Sequence, residues 1–261
     1  MKTSRLAALV CALLPALAAA SITVTKPVVL VTGDSFTRRS GLCPSTSYDQ
    51  CEASQTLPQQ ESYSLYLNSA TRYGVMVTDN SARGGDTCTS GNGVLAGLHS
   101  GAAKGLVSDV TGRINSREAN VVSILIGAND VLLHNRTTAE LTTCLRSVYA
   151  QVIPSGKKIV AMTYPPVINQ AGLSSPWGPS TTNNARLIAV NAAIRAAVAE
   201  HNAIYPSSPV LLAETSLAWT ESTAASHIIG DGIHPSVTGA RRIATTWFQQ
   251  VCGRGYIACS N

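Results

Sequence analysis

The chain has 261 residues, 45% of them hydrophobic and 13% charged, with a formal net charge of +5. That is enough apolar material for one buried-core domain, or at most two. The basic excess is weak and unclustered, with Arg38-Arg39 and Arg241-Arg242 as isolated solvated pairs, which excludes a nucleic-acid-binding patch.

Residues 1–20 have the form of a secretory signal peptide. Lys2 and Arg5 precede an apolar run from Leu6 to Leu17, and Ala18-Ala19-Ala20 supplies a small-residue cleavage site. The run is too short for a membrane span, and no later run is long enough for stable insertion. Cleavage after Ala20 leaves residues 21–261 as a single mature domain. Loss of Lys2 and Arg5 lowers the formal charge from +5 to +3.

Val28-Val29-Leu30-Val31-Thr32 reads as a buried strand of a parallel sheet, ending in Gly33-Asp34-Ser35. Ligands of such sheets sit beyond the carboxyl ends of the strands, where Ser35 lies. A polar loop over 36–58 holds Cys43 and Cys51, and its length implies a function or a staple. A helix is expected over 59–72 and a short strand over 75–78. A loop rich in Gly, Ser and Asp covers 80–93, and a weaker helix 95–114.

The strongest strand, 121–126, stops at Gly127-Ala128-Asn129-Asp130. A helix follows over 138–153, then a strand over 158–163 that ends before Pro165-Pro166. Residues 167–182 form a loop containing Trp177. The spacing of Leu187, Ile188, Val190, Ala193, Ile194 and Ala197 predicts a helix over 183–201. The last strand is 210–213. A loop then carries Asp231-Gly232-Ile233-His234-Pro235, and a helix over 236–251 starts with Ser236 as candidate N-cap. Strands alternating with helices argue for one parallel sheet covered on both faces.

Without Cys11 six cysteines remain, an even number, which in a secreted chain suggests disulfides. Short spacings favour Cys43 with Cys51 and Cys252 with Cys259, leaving Cys88 with Cys144. Structural zinc is the competing reading, and the lack of any Cys-x-x-Cys pair counts against it. Asn135-Arg136-Thr137 is a glycosylation sequon, which requires Asn135 at the surface.

Three loops can carry chemistry. Hydrolysis by a serine needs a base for its proton, an acid to fix the base's tautomer, and donors for the oxyanion. Ser35, His234 and Asp231 are of the right types, and an Asp three residues before a His in one loop can meet it. The other histidines, His99, His134, His201 and His227, have no partner pattern. Asp34 and Asp130 are read as loop-fixing groups. Trp177 and Trp219 are either platforms for a sugar or acyl group or buried loop anchors. Gly91-Asn92-Gly93-Val94-Leu95-Ala96 matches a dinucleotide fingerprint, but no strand precedes it, so cofactor binding there is rejected. Thr37 replaces the last glycine of a Gly-x-Ser-x-Gly elbow, against an α/β-hydrolase.

Taken together, Gly33-Asp34-Ser35, a glycine in 80–87, Gly127-Ala128-Asn129-Asp130 and Asp231-Gly232-Ile233-His234-Pro235 resemble the blocks of the SGNH hydrolases, the GDSL-type esterases and lipases. The resemblance spans about 28–251. It implies a flavodoxin-like three-layer α/β/α sandwich with a central parallel sheet, and ester hydrolysis with no metal or organic cofactor. It implies Ser35 as nucleophile, His234 as base and later acid, and Asp231 as the residue orienting His234. The oxyanion hole would be the amides of Ser35 and Gly85 and the side chain of Asn129. Gly85 is preferred to Gly84 because Gly85-Asp86-Thr87 fits the family pattern better. Phe36 stands where the family has Leu, and the two cysteines after Ser35 suggest a stapled insertion near the site.

The expectation is a secreted, monomeric serine esterase acting on small-molecule or polysaccharide esters, with short acyl or acetyl groups on carbohydrates favoured because the cleft loops are polar and no apolar lid is evident. The alternatives are a lipase or lysophospholipase for longer chains, and a non-catalytic glycan-binding protein on the same fold. A histidine base would make activity rise as the imidazole loses its proton.

Overall fold

The computed structural model describes residues 27–38, 62–67, 75–90, 105–115, 118–168, 177 and 180–257. Five strands form one parallel sheet: β1 (Val28–Gly33), β2 (Met76–Asn80), β3 (Val121–Leu125), β4 (Lys158–Met162) and β5 (Val210–Ala213), in the order β2-β1-β3-β4-β5. β1 and β3 are buried along almost their whole length, because a central parallel strand has helices on both faces. That is why they read as unbroken apolar runs. The chain order changes direction between β1 and β3, and the crevice beyond their carboxyl ends is where this topology places a ligand.

Six helices accompany the sheet among the described residues: α1 (Tyr63–Leu67), α2 (Leu106–Asn115), α3 (Ala128–Leu132), α4 (Thr138–Val152), α5 (Asn183–Ile204) and α6 (Val237–Val251). α1 packs on α6, while α2 packs on α4 and α4 on α5, so the helices form two groups, one for each face. On the α1 and α6 side the sheet contributes a polar node. Ser123 on β3 receives the Trp247 indole N–H at 3.0 Å and lies 3.1 Å from the Tyr63 hydroxyl. All three side chains are buried, so the node satisfies groups that would otherwise be orphaned in the core.

The expected strands are present within one or two residues, and the last, 210–213, coincides with β5. Two boundaries differ. α5 continues three residues past His201, and α3 occupies positions read as turn. α3 is only five residues long and opens on Gly127 at φ +122°, so Gly-Ala-Asn-Asp carries turn and helix in one short string. α4 begins as expected, and Thr137 with Glu140 forms a reciprocal capping box. Ser236 caps α6 through the Gly239 amide at 3.3 Å. Most of the expected 59–72 helix, the first part of the 95–114 helix, the 91–96 glycine motif, the signal segment, Cys43, Cys51 and Cys259 lie outside the described residues.

Cys88 is bonded to Cys144, joining the loop after β2 to α4. Cys252 is also disulfide-bonded. Asn135 is exposed, in a left-handed conformation (φ +52°), and its Oδ1 accepts from Arg186 at 3.1 Å.

Candidate active site

Each strand delivers a loop to the carboxyl edge of the sheet, and these loops build the site. β1 ends at Gly33, whose φ of +144° suits glycine alone. A side chain there would run into the Leu125 carbonyl, since a Cβ would lie 1.9 Å from that oxygen. This close approach of β1 and β3 fixes the turn that follows. The Asp34 carbonyl closes it by accepting from Thr37 and Arg38 at 3.1 and 3.2 Å, and Ser35 sits at its crest.

The loop of His234 is organised by Asp231. One carboxylate oxygen accepts the amides of Ile233 and His234 at 2.9 and 3.0 Å. The other faces His234 Nδ1 at 2.5 Å. With Nδ1 carrying its proton toward Asp231, Nε2 is left as an acceptor, and the Ser35 hydroxyl lies 2.8 Å from it. Burial works to raise the Asp231 carboxyl, but the His234 hydrogen bond and charge and the two amides outweigh it and hold it below the usual carboxylate range. The structure therefore brings Ser35, His234 and Asp231 into one hydrogen-bonded line. A hydroxyl so placed can pass its proton to the imidazole while attacking a carbonyl.

The loop after β2 keeps pairing with β1 beyond the strand. Ser81 donates to the Val31 carbonyl and Arg83 to that of Gly33, both at 2.9 Å. This carries the chain to the edge of the Ser35 turn. There Arg83-Gly84-Gly85-Asp86 folds back, with Asp86 N donating to the Arg83 carbonyl at 3.2 Å. Gly85 takes the left-handed position of the turn (φ +69°), so of the two adjacent glycines it is the one whose conformation demands glycine. Asn129 comes from the first turn of α3. Its Nδ2 donates to the Asp86 carbonyl at 2.9 Å, which sets the side chain beside that same turn.

Beneath these groups lie three buried carboxyls. Asp34 accepts the Tyr164 hydroxyl at 2.5 Å and the Phe36 amide at 3.0 Å. Burial raises it to about 7 against those two hydrogen bonds, with the charges of Asp86 and Asp130 adding to the rise. Asp86 is paired with Arg113 at 2.6 Å, and burial still raises it, to about 6. Asp130 accepts the Cys88 and Thr89 amides at 2.7 and 2.9 Å and the Thr89 hydroxyl at 2.7 Å. Asp34 and Asp130 thus fix loops, as their positions beside turns suggested.

Trp177 and Trp219 are buried anchors rather than platforms. Trp219 donates to the Pro166 carbonyl and stacks on His227 with ring centroids 5.0 Å apart. Trp177 donates to Asn129 Oδ1 at 3.0 Å. Tyr164 and Arg113 are site-building residues that sequence reasoning missed. Tyr164 follows a strand end, a signal that could have singled it out, whereas Arg113 sits on an amphipathic helix and reads as a surface charge. His201 meets the Ser208 carbonyl and the rings of Tyr149 and Tyr205. No described group of His, Cys, Asp and Glu could hold a metal ion, and no described helix is long and apolar enough to cross a membrane.

A hydroxyl, imidazole and carboxylate aligned at the carboxyl edge of a parallel sheet have the arrangement that nucleophilic hydrolysis requires. The sequence model of the GDSL-like Lipase/Acylhydrolase family matches residues 31–242, and the chain belongs to that family. A search of curated proteins finds no match. Among solved structures, a family 3 carbohydrate esterase from Clostridium thermocellum is similar, with a TM-score of 0.57 and 18% identity over 89% of this chain and 100% of that one. An acetylxylan esterase from Geobacillus stearothermophilus is similar at TM-score 0.58 and 19% identity, over 86% and 94% of the two chains. At that identity the likeness is one of fold, and it agrees with the SGNH hydrolase architecture.

Proposed function

We propose that this ester hydrolase is a secreted serine esterase that works through an acyl-enzyme. The observation that carries the reading is the line from Ser35 Oγ through His234 to Asp231, with 2.8 Å between the hydroxyl and Nε2. Ser35 attacks the ester carbonyl and His234 takes its proton. The tetrahedral oxyanion is held by the amides of Ser35 and Gly85 and the Asn129 side chain. His234 then protonates the leaving alcohol. Water, deprotonated in turn by His234, releases the acid from Ser35.

Short acyl groups on a carbohydrate are the favoured substrate. Polar loops around the site support this, as do the substrates named for the two esterases of similar fold. Secretion is supported by the form of residues 1–20 and by the Cys88–Cys144 bond. The test is hydrolysis of nitrophenyl esters from acetate to palmitate, with Ser35→Ala as control. A short-chain preference abolished by the substitution is expected. A long-chain preference would move the substrate to lipids, and full activity in Ser35→Ala would overturn the mechanism.

A further inference from the structure

Asn129 can stabilise an oxyanion in only one of its two amide orientations. Its oxygen and nitrogen are nearly equal in size, and turning the amide over would aim an oxygen at the developing negative charge. Two partners of single function decide between them. The Trp177 indole can only donate, and it meets Oδ1 at 3.0 Å. The Asp86 carbonyl can only accept, and it takes one hydrogen of Nδ2 at 2.9 Å. The reversed amide would set donor against donor and acceptor against acceptor. Asn129 and Trp177 are 3% and 4% exposed, so water does not relieve that conflict.

Trp177 is itself held from two sides. Its ring lies parallel to Phe36, with centroids 6.0 Å apart and 4° between the planes. Its carbonyl accepts from Arg186 at 3.4 Å, and the same guanidinium donates to the Val131 carbonyl on α3, the helix that carries Asn129. Phe36 directly follows Ser35, and its ring centroid is 6.0 Å from that of His234. Phe36 thus lies between the imidazole, to which it is tilted by 44°, and the Trp177 ring that reaches the Asn129 amide.

We infer that Trp177 is a positioning residue for the oxyanion hole, fixing the orientation of the Asn129 amide through its indole N–H. This rests on the reading of Asn129 as an oxyanion donor. Trp177→Phe keeps a flat ring against Phe36 and removes the donor. Replacement of Trp177 by β-(3-benzothienyl)alanine keeps the full shape and removes only the N–H, so the test survives if Trp177→Phe does not fold. On nitrophenyl acetate, kcat should fall roughly tenfold, less than the about 10²–10³-fold expected when a donor is lost outright. KM should hold, while the thermal midpoint should fall by a few degrees because Asn129 Oδ1 is left buried without its donor. In an Asn129→Ala background the same replacement should cost less than about twofold, because the group it positions is gone. An unchanged kcat, or an equal loss in both backgrounds, would overturn the inference. An Asn129→Ala enzyme of normal rate would instead overturn the reading of Asn129 itself.

Discussion

Two loops flank Ser35, and they are held in different ways. The His234 loop is largely self-contained. Ile229 donates to the His234 carbonyl, Gly232 to that of Ile229 and Ser236 to that of His227, all within 2.9–3.0 Å. Asp231 caps the loop with its own carboxylate. The loop after β2 takes its shape from distant elements: Arg113 of α2 grips Asp86, Asp130 of α3 takes the Cys88 and Thr89 amides, and Cys144 of α4 holds Cys88. The His234 imidazole is positioned by local sequence, whereas the turn beside the proposed oxyanion hole depends on the packing of three helices against the sheet.

Substitutions can break or sharpen that contrast. The largest effect expected is on turnover in His234→Ala, about 10⁴-fold or more, with little change in the urea midpoint. A loss of several kcal/mol in unfolding free energy would mean that the loop is not self-contained. Arg113→Met should do the reverse. It leaves Asp86 buried without its 2.6 Å partner and should cost about 3–5 kcal/mol of folding stability, read by urea unfolding. A neutral result would show that the ion pair does not hold the loop. Asn129→Ala, measured by steady-state kinetics, should cost about 10²–10³-fold in kcat. Replacing Cys88 and Cys144 together by serine should cost about 2–4 kcal/mol.

The smallest effect per unit concerns Asp34, which lies between the two loops. Burial raises its carboxyl from 3.8 to about 7 in the folded protein. Between those values the folded chain holds a proton that the unfolded chain has lost. The contribution of Asp34 is therefore complete below the lower value and is lost as pH rises toward the upper one, at no more than about 1.4 kcal/mol per pH unit. Asp34→Asn should flatten that part of the stability profile in urea titrations. Parallel profiles for the two proteins would show that Asp34 ionises normally.

The same contrast explains what the sequence could and could not convey. Asp231-Gly232-Ile233-His234-Pro235 was legible because its geometry is written in neighbouring residues: a carboxylate that bonds its own loop and a glycine at φ +76°. The strands were legible because burial on both faces demands runs such as Val28-Val29-Leu30-Val31. Arg113 was not, since a charged residue on an amphipathic helix is usually solvated and only the fold reveals Asp86 beneath it. Nor was the bond from Trp177 to Asn129, which joins residues 48 positions apart. α3 escaped because five residues following a glycine give no helical period.

The most direct test of the central claim is covalent capture of the proposed nucleophile, Ser35. The folded protein would be treated with a fluorophosphonate and the modified residue located by peptide mass spectrometry. Labelling of Ser35 alone, slowed by orders of magnitude in His234→Ala, is the predicted result. Labelling at another residue, or an active enzyme that takes no label at Ser35, would contradict the account.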